Sequence, residues 1–243
     1  MKIIAMIPAR YAATRFPFKL MQPLGGKTVI RCTYENTVAT NLFDDVIVVT
    51  DHRLIFDEIT NHGGNAIMSI AEHESGSDRI AEAIKDMEVD IVLNVQGDEP
   101  FVNAMMLKKL LDVFIDDETV QVASPIKKIT DIAQINNTNI VKVAVDKKMN
   151  SLLFSRSVIP FHREQLITPI YYEHIGVYAF RKVALLQFTQ WEMTPLEASE
   201  KIECLRYLEN GVQLRMVETE GDIVKIDIPE DLQKAEIYLK SIS

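Results

Sequence analysis

The first 34 residues hold six Lys and Arg and no carboxylate, although the whole chain carries 35 Asp and Glu against 26 Lys and Arg. Three of these cations, Arg10, Arg15 and Lys19, follow directly on the apolar run 3–7 and Pro8. In a chain of net charge −9, such a local concentration suits a polyanionic ligand. Guanidinium offers phosphate a planar two-pronged donor, and ammonium offers a point charge. A second group, HESGSDR at 73–79, reads as a turn entering a helix. There Ser75, Gly76 and Ser77 either cap the helix or present hydroxyls and N–H groups to an anion or a base edge, with Arg79 on the helix behind them. A third, NVQGDEP at 94–100, follows a run that is apolar on both faces. Gln96, Gly97 and Asp98 then belong at the carboxyl end of a strand, where open α/β sheets bind their ligands.

Those groups need a frame, and hydrophobic periodicity predicts one. Thr28 caps a helix to about residue 40, and DVIVVT at 45–50 is a second apolar strand after the one at 3–7. A helix over about 52–62 ends at Gly63 and Gly64, followed by a strand at 65–68, a helix over about 77–86 and a strand at 90–95. Apolar strands alternating with amphipathic helices predict an α/β fold whose mostly parallel central sheet is covered on both faces. Past residue 120 the strands come closer together, at about 121–128, 139–146, 150–155 and 171–180, which predicts a mixed-sheet half. Helices at 181–189 and 195–210, strands near 213–217 and 223–226, and a last helix from Pro229 complete the pattern. With no repeat, low-complexity tract or clear linker, a single domain over 1–243 is the economical expectation.

Composition removes several classes of function. At 243 residues and 47 % hydrophobic, the chain buries about three quarters of the surface its unfolded form exposes, so disorder is excluded. Its acidic balance argues against nucleic acid and anionic membrane as partners, since both need basic surface in excess. Cys32 and Cys204 form no CxxC or Cys/His cluster, so neither a disulfide framework nor a zinc site is expected, and a reducing compartment fits. The N-terminal apolar run is too short for a signal peptide and no later run approaches ~20 residues, so a soluble cytoplasmic protein is expected. No GxGxxG follows the first strand, which speaks against hydride transfer, and no DxD triplet marks a metal-dependent glycosyltransferase. No Ser/His/Asp or Cys/His pair stands out, so no covalent intermediate is expected.

Seven segments, IPARYAATRFPFK, HESGSDR, NVQGDEP, FSR at 154–156, HIGVYAF at 174–180, PLE at 195–197 and VKIDIPEDL at 224–232, occur in this order. Together they resemble the 3-deoxy-manno-octulosonate (Kdo) cytidylyltransferases over nearly the whole chain. That resemblance implies a Rossmann-like nucleotidyltransferase fold, with a nucleotide-binding half over about 1–120 and a sugar-binding and dimerisation half over about 121–243. It implies transfer of CMP from CTP to the anomeric hydroxyl of the sugar acid for lipopolysaccharide synthesis, with Mg²⁺ as cofactor, as a homodimer. Arg10, Arg15 and Lys19 would hold the triphosphate, and Arg15, Lys19 and Asp98 would serve catalysis. Ser75, Gly76, Arg79, Gln96 and Asp98 would contact the nucleotide, and Asp98 with Asp227 would ligate the metal. Arg156, His174, Tyr178 and Glu203 would receive the sugar acid, although Glu203 and Arg206, three apart, can also pair with each other and Tyr178 can be core. Phe18 and Leu20 stand where the family commonly has glycine and proline, and Cys204 where it has glutamine. Phe18 makes the phosphate loop bulkier, and Cys204 removes an amide from the sugar side, which leaves room for a variant octulosonate such as the 8-amino form; a sialic-type acid is a further alternative acceptor. A nucleotidylyltransferase acting on a sugar phosphate and a module that binds CTP without turnover are the competing functions.

Overall fold

A computed structural model describes residues 1–12, 16–73, 75–164, 166, 169–220 and 224–242, with the side chain of residue 242 left aside. The chain forms two compact units, Met1–Leu107 with Gly221–Ser243, and Lys108–Glu220.

In the first unit, β1 (Ile3–Ala9) is the central strand. Ile4, Ala5, Met6 and Ile7 are 0–2 % exposed, as expected of a strand covered on both faces. A 3-10 turn (Lys19–Met21) and a short hairpin of β2 (Pro23–Leu24) and β3 (Lys27–Thr28) lead to α1 (Val29–Ala39). As expected, Thr28 is its cap, accepting from the Arg31 N–H. Then come β4 (Asp45–Thr50), α2 (Arg53–Asn61), β5 (Asn65–Met68), α3 (Gly76–Ile84) and β6 (Ile91–Asn94). The strands lie in the order β5-β4-β1-β6, each adjacent pair parallel, so the carboxyl ends of β1, β4 and β6 share one edge. Every element expected over this stretch is present, within two residues at either end. Helix α4 (Ala104–Asp116), which the periodicity did not predict, carries the chain to the second unit.

There β7 (Val122–Ile129) leads to the one-turn α5 (Ile132–Asn136), then to β8 (Lys142–Val145) and β9 (Ser151–Ser155). The strand expected at 171–180 is two, β10 (Tyr171–His174) and β11 (Tyr178–Arg181), both antiparallel to β7. The break falls at residues 175–177, around Gly176, and is bridged by the Ile175 N–H donating to the Pro125 carbonyl at 3.1 Å. After α6 (Lys182–Phe188), the helix expected over 195–210 is also two, α7 (Pro195–Glu200) and α8 (Leu205–Glu209). Lys201 ends the first in the left-handed region at φ 55°, a conformation that helices cannot propagate through. β12 (Leu214–Glu218) pairs parallel with β7 on its other side.

The chain then returns to the first unit, where residues 224–226 form no strand, contrary to expectation. Ile226 instead donates its N–H to the Asp98 carbonyl at 3.0 Å, and α9 (Pro229–Ile242) follows. Among the described residues no helix is long and apolar enough to cross a membrane.

Candidate functional site

A cavity of about 340 Å³ opens in the first unit, lined among others by Pro8, Arg10, Lys19, Ser75, Gly76, Arg79, Gln96, Asp98 and Asp227. The lining comes from the end of β1, the loop after it, the start of α3, the turn after β6 and the segment before α9. Parallel pairing brings the first four of these to one edge, and the Ile226–Asp98 backbone bond adds the last. Asp98 and Asp227, 129 positions apart, thereby meet on one cation. Lys19 Nζ donates to Asp98 Oδ2 and lies 3.3 Å from Asp227 Oδ1. Two carboxylates this close repel unless a cation stands between them, and the ammonium is that cation here.

Gly97 makes the approach possible. A Cβ on it would lie 3.1 Å from the Pro8 carbonyl oxygen and 3.3 Å from Ile30 Cδ1, and its own carbonyl accepts from Thr33 Oγ1 at 2.9 Å. Behind the turn Glu99 is buried, and burial with the neighbouring Asp98 charge pushes its carboxyl up to about 7. Sequence reasoning passed over Glu99, although an acid directly following a strand-end acid was a legible signal. The same is true of Asp51, directly after β4. Asp51 accepts from Arg79 Nη2 at 2.8 Å and from the Tyr11 N–H at 3.2 Å. Burial acts against it first, but the Arg79 and Tyr11 hydrogen bonds win and hold its carboxyl below the usual range.

Of the expected nucleotide contacts, Ser75 is engaged as the cap of α3. It accepts from the Asp78 N–H at 3.1 Å and donates to Asp78 Oδ2 at 2.8 Å. Arg79 is 3 % exposed and donates from Nη1 to the Ala9 carbonyl at 3.0 Å, so it braces the end of β1 as well as lining the cavity. Arg10 donates to the His73 carbonyl at 2.7 Å, tying its loop to the approach to α3. Gln96 donates to Asn94 Oδ1 at 3.4 Å and lines the cavity. Arg15 lies outside the described residues. Phe18, in the position the family gives to glycine, has φ 58° and ψ 24°, the left-handed region that glycine enters without cost.

The expected acceptor residues all belong to the second unit. His174, at the end of β10, is buried between Phe154 and Tyr178, with ring centroids at 4.9 and 5.5 Å. Burial alone pushes its imidazole down to about 3, so the ring is neutral at physiological pH. Burial likewise raises the Tyr178 hydroxyl and the Cys204 thiol, which lie together next to Glu203. Arg206 forks onto Glu197, with Nε–Oε2 at 2.7 Å and Nη2–Oε1 at 2.6 Å. Arg156 donates from Nε to the Glu200 carbonyl at 2.8 Å and from Nη1 to the Thr138 carbonyl at 3.1 Å. Glu200 in turn accepts from Ser155 Oγ and the Arg156 N–H, and Lys142, fully buried, donates to three carbonyls including that of Arg156. No sequence signal pointed to Lys142, which sits in a strand where periodicity alone calls for an apolar side chain.

Comparison with known proteins adds an independent line. Residues 4–222 match the family model described as cytidylyltransferase. The chain is 59 % identical, over the full length of both, to a 3-deoxy-manno-octulosonate cytidylyltransferase of Flavobacterium johnsoniae. It is 56 % identical to that of Christiangramia forsetii over 96 % of this chain and 95 % of the relative. A solved CMP:2-keto-3-deoxy-manno-octonic acid synthetase complexed with CTP superposes with a TM-score of 0.95, at 32 % identity and full coverage of both chains. A 4-diphosphocytidyl-2C-methyl-D-erythritol synthase from Anaerococcus prevotii, 19 % identical with a TM-score of 0.66 over 98 % of each chain, shares the fold. The chain therefore belongs to the cytidylyltransferase family and, within it, to the 3-deoxy-manno-octulosonate cytidylyltransferases.

Proposed function

We propose that this protein transfers CMP from CTP to the anomeric hydroxyl of 3-deoxy-manno-octulosonate, giving CMP-Kdo and pyrophosphate. The observation that carries the reading is the cavity at the carboxyl end of a parallel sheet where Arg10, Lys19 and Arg79 meet Asp98 and Asp227, in a chain so close to proteins of that activity. The sugar hydroxyl attacks the α-phosphorus and pyrophosphate leaves. Arg10, Lys19 and, in our reading, Arg15 meet the charge that grows on the departing oxygens, and cations already in place favour the transition state over the ground state. Gln96, Ser75 and the start of α3 face the nucleotide; Arg156, His174, Tyr178 and Glu203 receive the acid.

Cytidylyltransferases of this kind generally use a divalent metal. The donor set fits one, because Asp98 and Asp227 are hard oxygen ligands that already share a single positive charge. We propose Mg²⁺ held by these two carboxylates, where it would neutralise phosphate charge and favour ionisation of the attacking hydroxyl. Lys19 holds the two carboxylates together in the structure, and with them on the ion its ammonium would be released to the phosphates. We further propose a cytoplasmic homodimer for lipopolysaccharide synthesis. Support for the dimer comes from β9, an edge strand of its unit whose Leu152 and Leu153 are both exposed. Light scattering of Leu152→Glu against the unaltered protein checks it.

Pyrophosphate release with each of four nucleoside triphosphates, crossed with Kdo, its 8-amino form and a sialic acid, tests the main reading. CTP with Kdo should exceed every other pair by at least about tenfold in kcat/KM, roughly 1.4 kcal/mol. Equal turnover of UTP, or of a sugar 1-phosphate, would sink it.

A further inference from the structure

The break between β10 and β11 leaves two carbonyls, those of Ile175 and Val177, pointing at one hydroxyl. Ser124 Oγ, fully buried on β7, lies 3.0 Å from the first and 2.8 Å from the second. The same oxygen is 2.9 Å from His174 Nε2. A serine hydroxyl has one proton to give, and a carbonyl oxygen can only accept. Were that proton aimed at the imidazole, the hydroxyl would turn lone pairs on both carbonyl oxygens at contact distance, and the Val177 carbonyl would lose this donor in a buried site, whereas the Ile175 carbonyl also accepts from the Val177 N–H at 2.8 Å. The proton therefore goes to the carbonyls, the lone pair faces the ring, and Nε2 must carry hydrogen. A neutral imidazole holds only one, and burial keeps this ring neutral.

We propose that Ser124 is a positioning residue that holds His174 as its Nε2–H tautomer, so that Nδ1, the nitrogen left for the acceptor substrate, takes a hydrogen bond and cannot give one. This rests on the reading of His174 as a contact of the sugar acid. The consequence is a rule of specificity: the group recognised there is a donor, a hydroxyl or an amine, and not an ether, a ketone or a fluorine.

The test is nitrogen-15 NMR of the full-length protein labelled at its five histidines, with His174→Phe assigning the signal. The proposal expects a protonated Nε2 and a bare Nδ1 at pH 7, and a mixed or reversed tautomer in Ser124→Ala. In steady state, Ser124→Ala should raise KM for the sugar acid about tenfold with KM for CTP unchanged, the scale of one misdirected hydrogen bond. Replacing the recognised hydroxyl by fluorine should cost a similar factor on the wild type and nothing further on His174→Phe. A protonated Nδ1 in the wild type, or the same tautomer with and without Ser124, overturns the proposal even if the variant is less stable. If the tautomer is as stated but His174→Phe leaves KM for the sugar acid unchanged, the reading of His174 as an acceptor contact fails, and the specificity rule with it.

Discussion

Lys19 sits between two carboxylates, and its removal affects stability as well as chemistry. A loop charge that only held phosphate would leave folding untouched, but Asp98 is 9 % exposed and would lose the cation beside it. Lys19→Ala should lower the free energy of unfolding by about 2 kcal/mol in the absence of divalent ions, less than a fully buried pair because Asp227 is half-buried. It should also lower kcat/KM by about a hundredfold, near 3 kcal/mol. Urea titration with and without Mg²⁺, beside steady-state kinetics, checks both points: the ion should restore most of the stability and little of the rate. If Mg²⁺ leaves the variant's midpoint unmoved, the two carboxylates do not share an ion. One residue away, Phe18 holds a left-handed backbone that costs a non-glycine residue about 1 kcal/mol. Phe18→Gly should therefore be more stable than Phe18→Ala by about that amount, the reverse of the usual order. Both variants lose the ring contact to Tyr11 at 4.6 Å, so the difference between their unfolding midpoints reads backbone alone.

At the scale of elements, the site depends on how close the turn after β6 comes to the end of β1. Gly97 permits an approach that a methyl group would obstruct, with backbone on one side and the packed Ile30 side chain on the other. Gly97→Ala should destabilise by roughly 1–3 kcal/mol, the usual cost of overpacking, and should lower kcat more than it raises KM for CTP. The reason is that Asp98, the next residue, moves with the turn while the phosphate-facing loop does not. Thermal unfolding and steady-state kinetics on the same preparation would show it; a variant with wild-type kcat would mean that the turn does not set the carboxylate. Arg79 and Asp51 act similarly at the neighbouring strand ends, joining β1, β4 and α3 through one buried guanidinium.

For the molecule as a whole, two buried groups, His174 and Glu99, respond to acid in opposite directions between about pH 4.5 and 6.5, so marked acid lability should begin only below about pH 4.5. His174 has a folded pKa of about 3 against an ordinary 6.5, so between those values the unfolded chain binds a proton that the native one does not. The share of stability that comes from the neutral imidazole is complete above about pH 6.5 and is lost as pH falls toward 3. Glu99, raised to about 7 from 4.5, has the opposite slope across its own window, since there the native state holds the extra proton. Asp51 and Glu200, whose carboxyls are lowered, add losses only below about pH 4. The unfolding midpoint of His174→Phe minus that of the wild type, followed from pH 7.5 to 5, isolates the imidazole and should grow as pH falls; a flat difference would mean that the ring is protonated in the native state. Much of this architecture was legible in the residues. Runs such as DVIVVT and DIVLNV determine buried parallel strands and Thr28 determines where α1 begins, because each signal acts between residues near in sequence. The ordered motifs, read together, also pointed to the family. Other features were decided only in three dimensions: the meeting of Asp98 with Asp227 through the Ile226 backbone bond, and the engagement of Arg79 with Asp51. The same holds for the splitting of one expected strand at Gly176 and of one expected helix at Lys201, and for the hydroxyl that sets the tautomer of His174. Each rests on a partner remote in the chain or on a backbone angle imposed by packing, and neither leaves a period or a spacing to read.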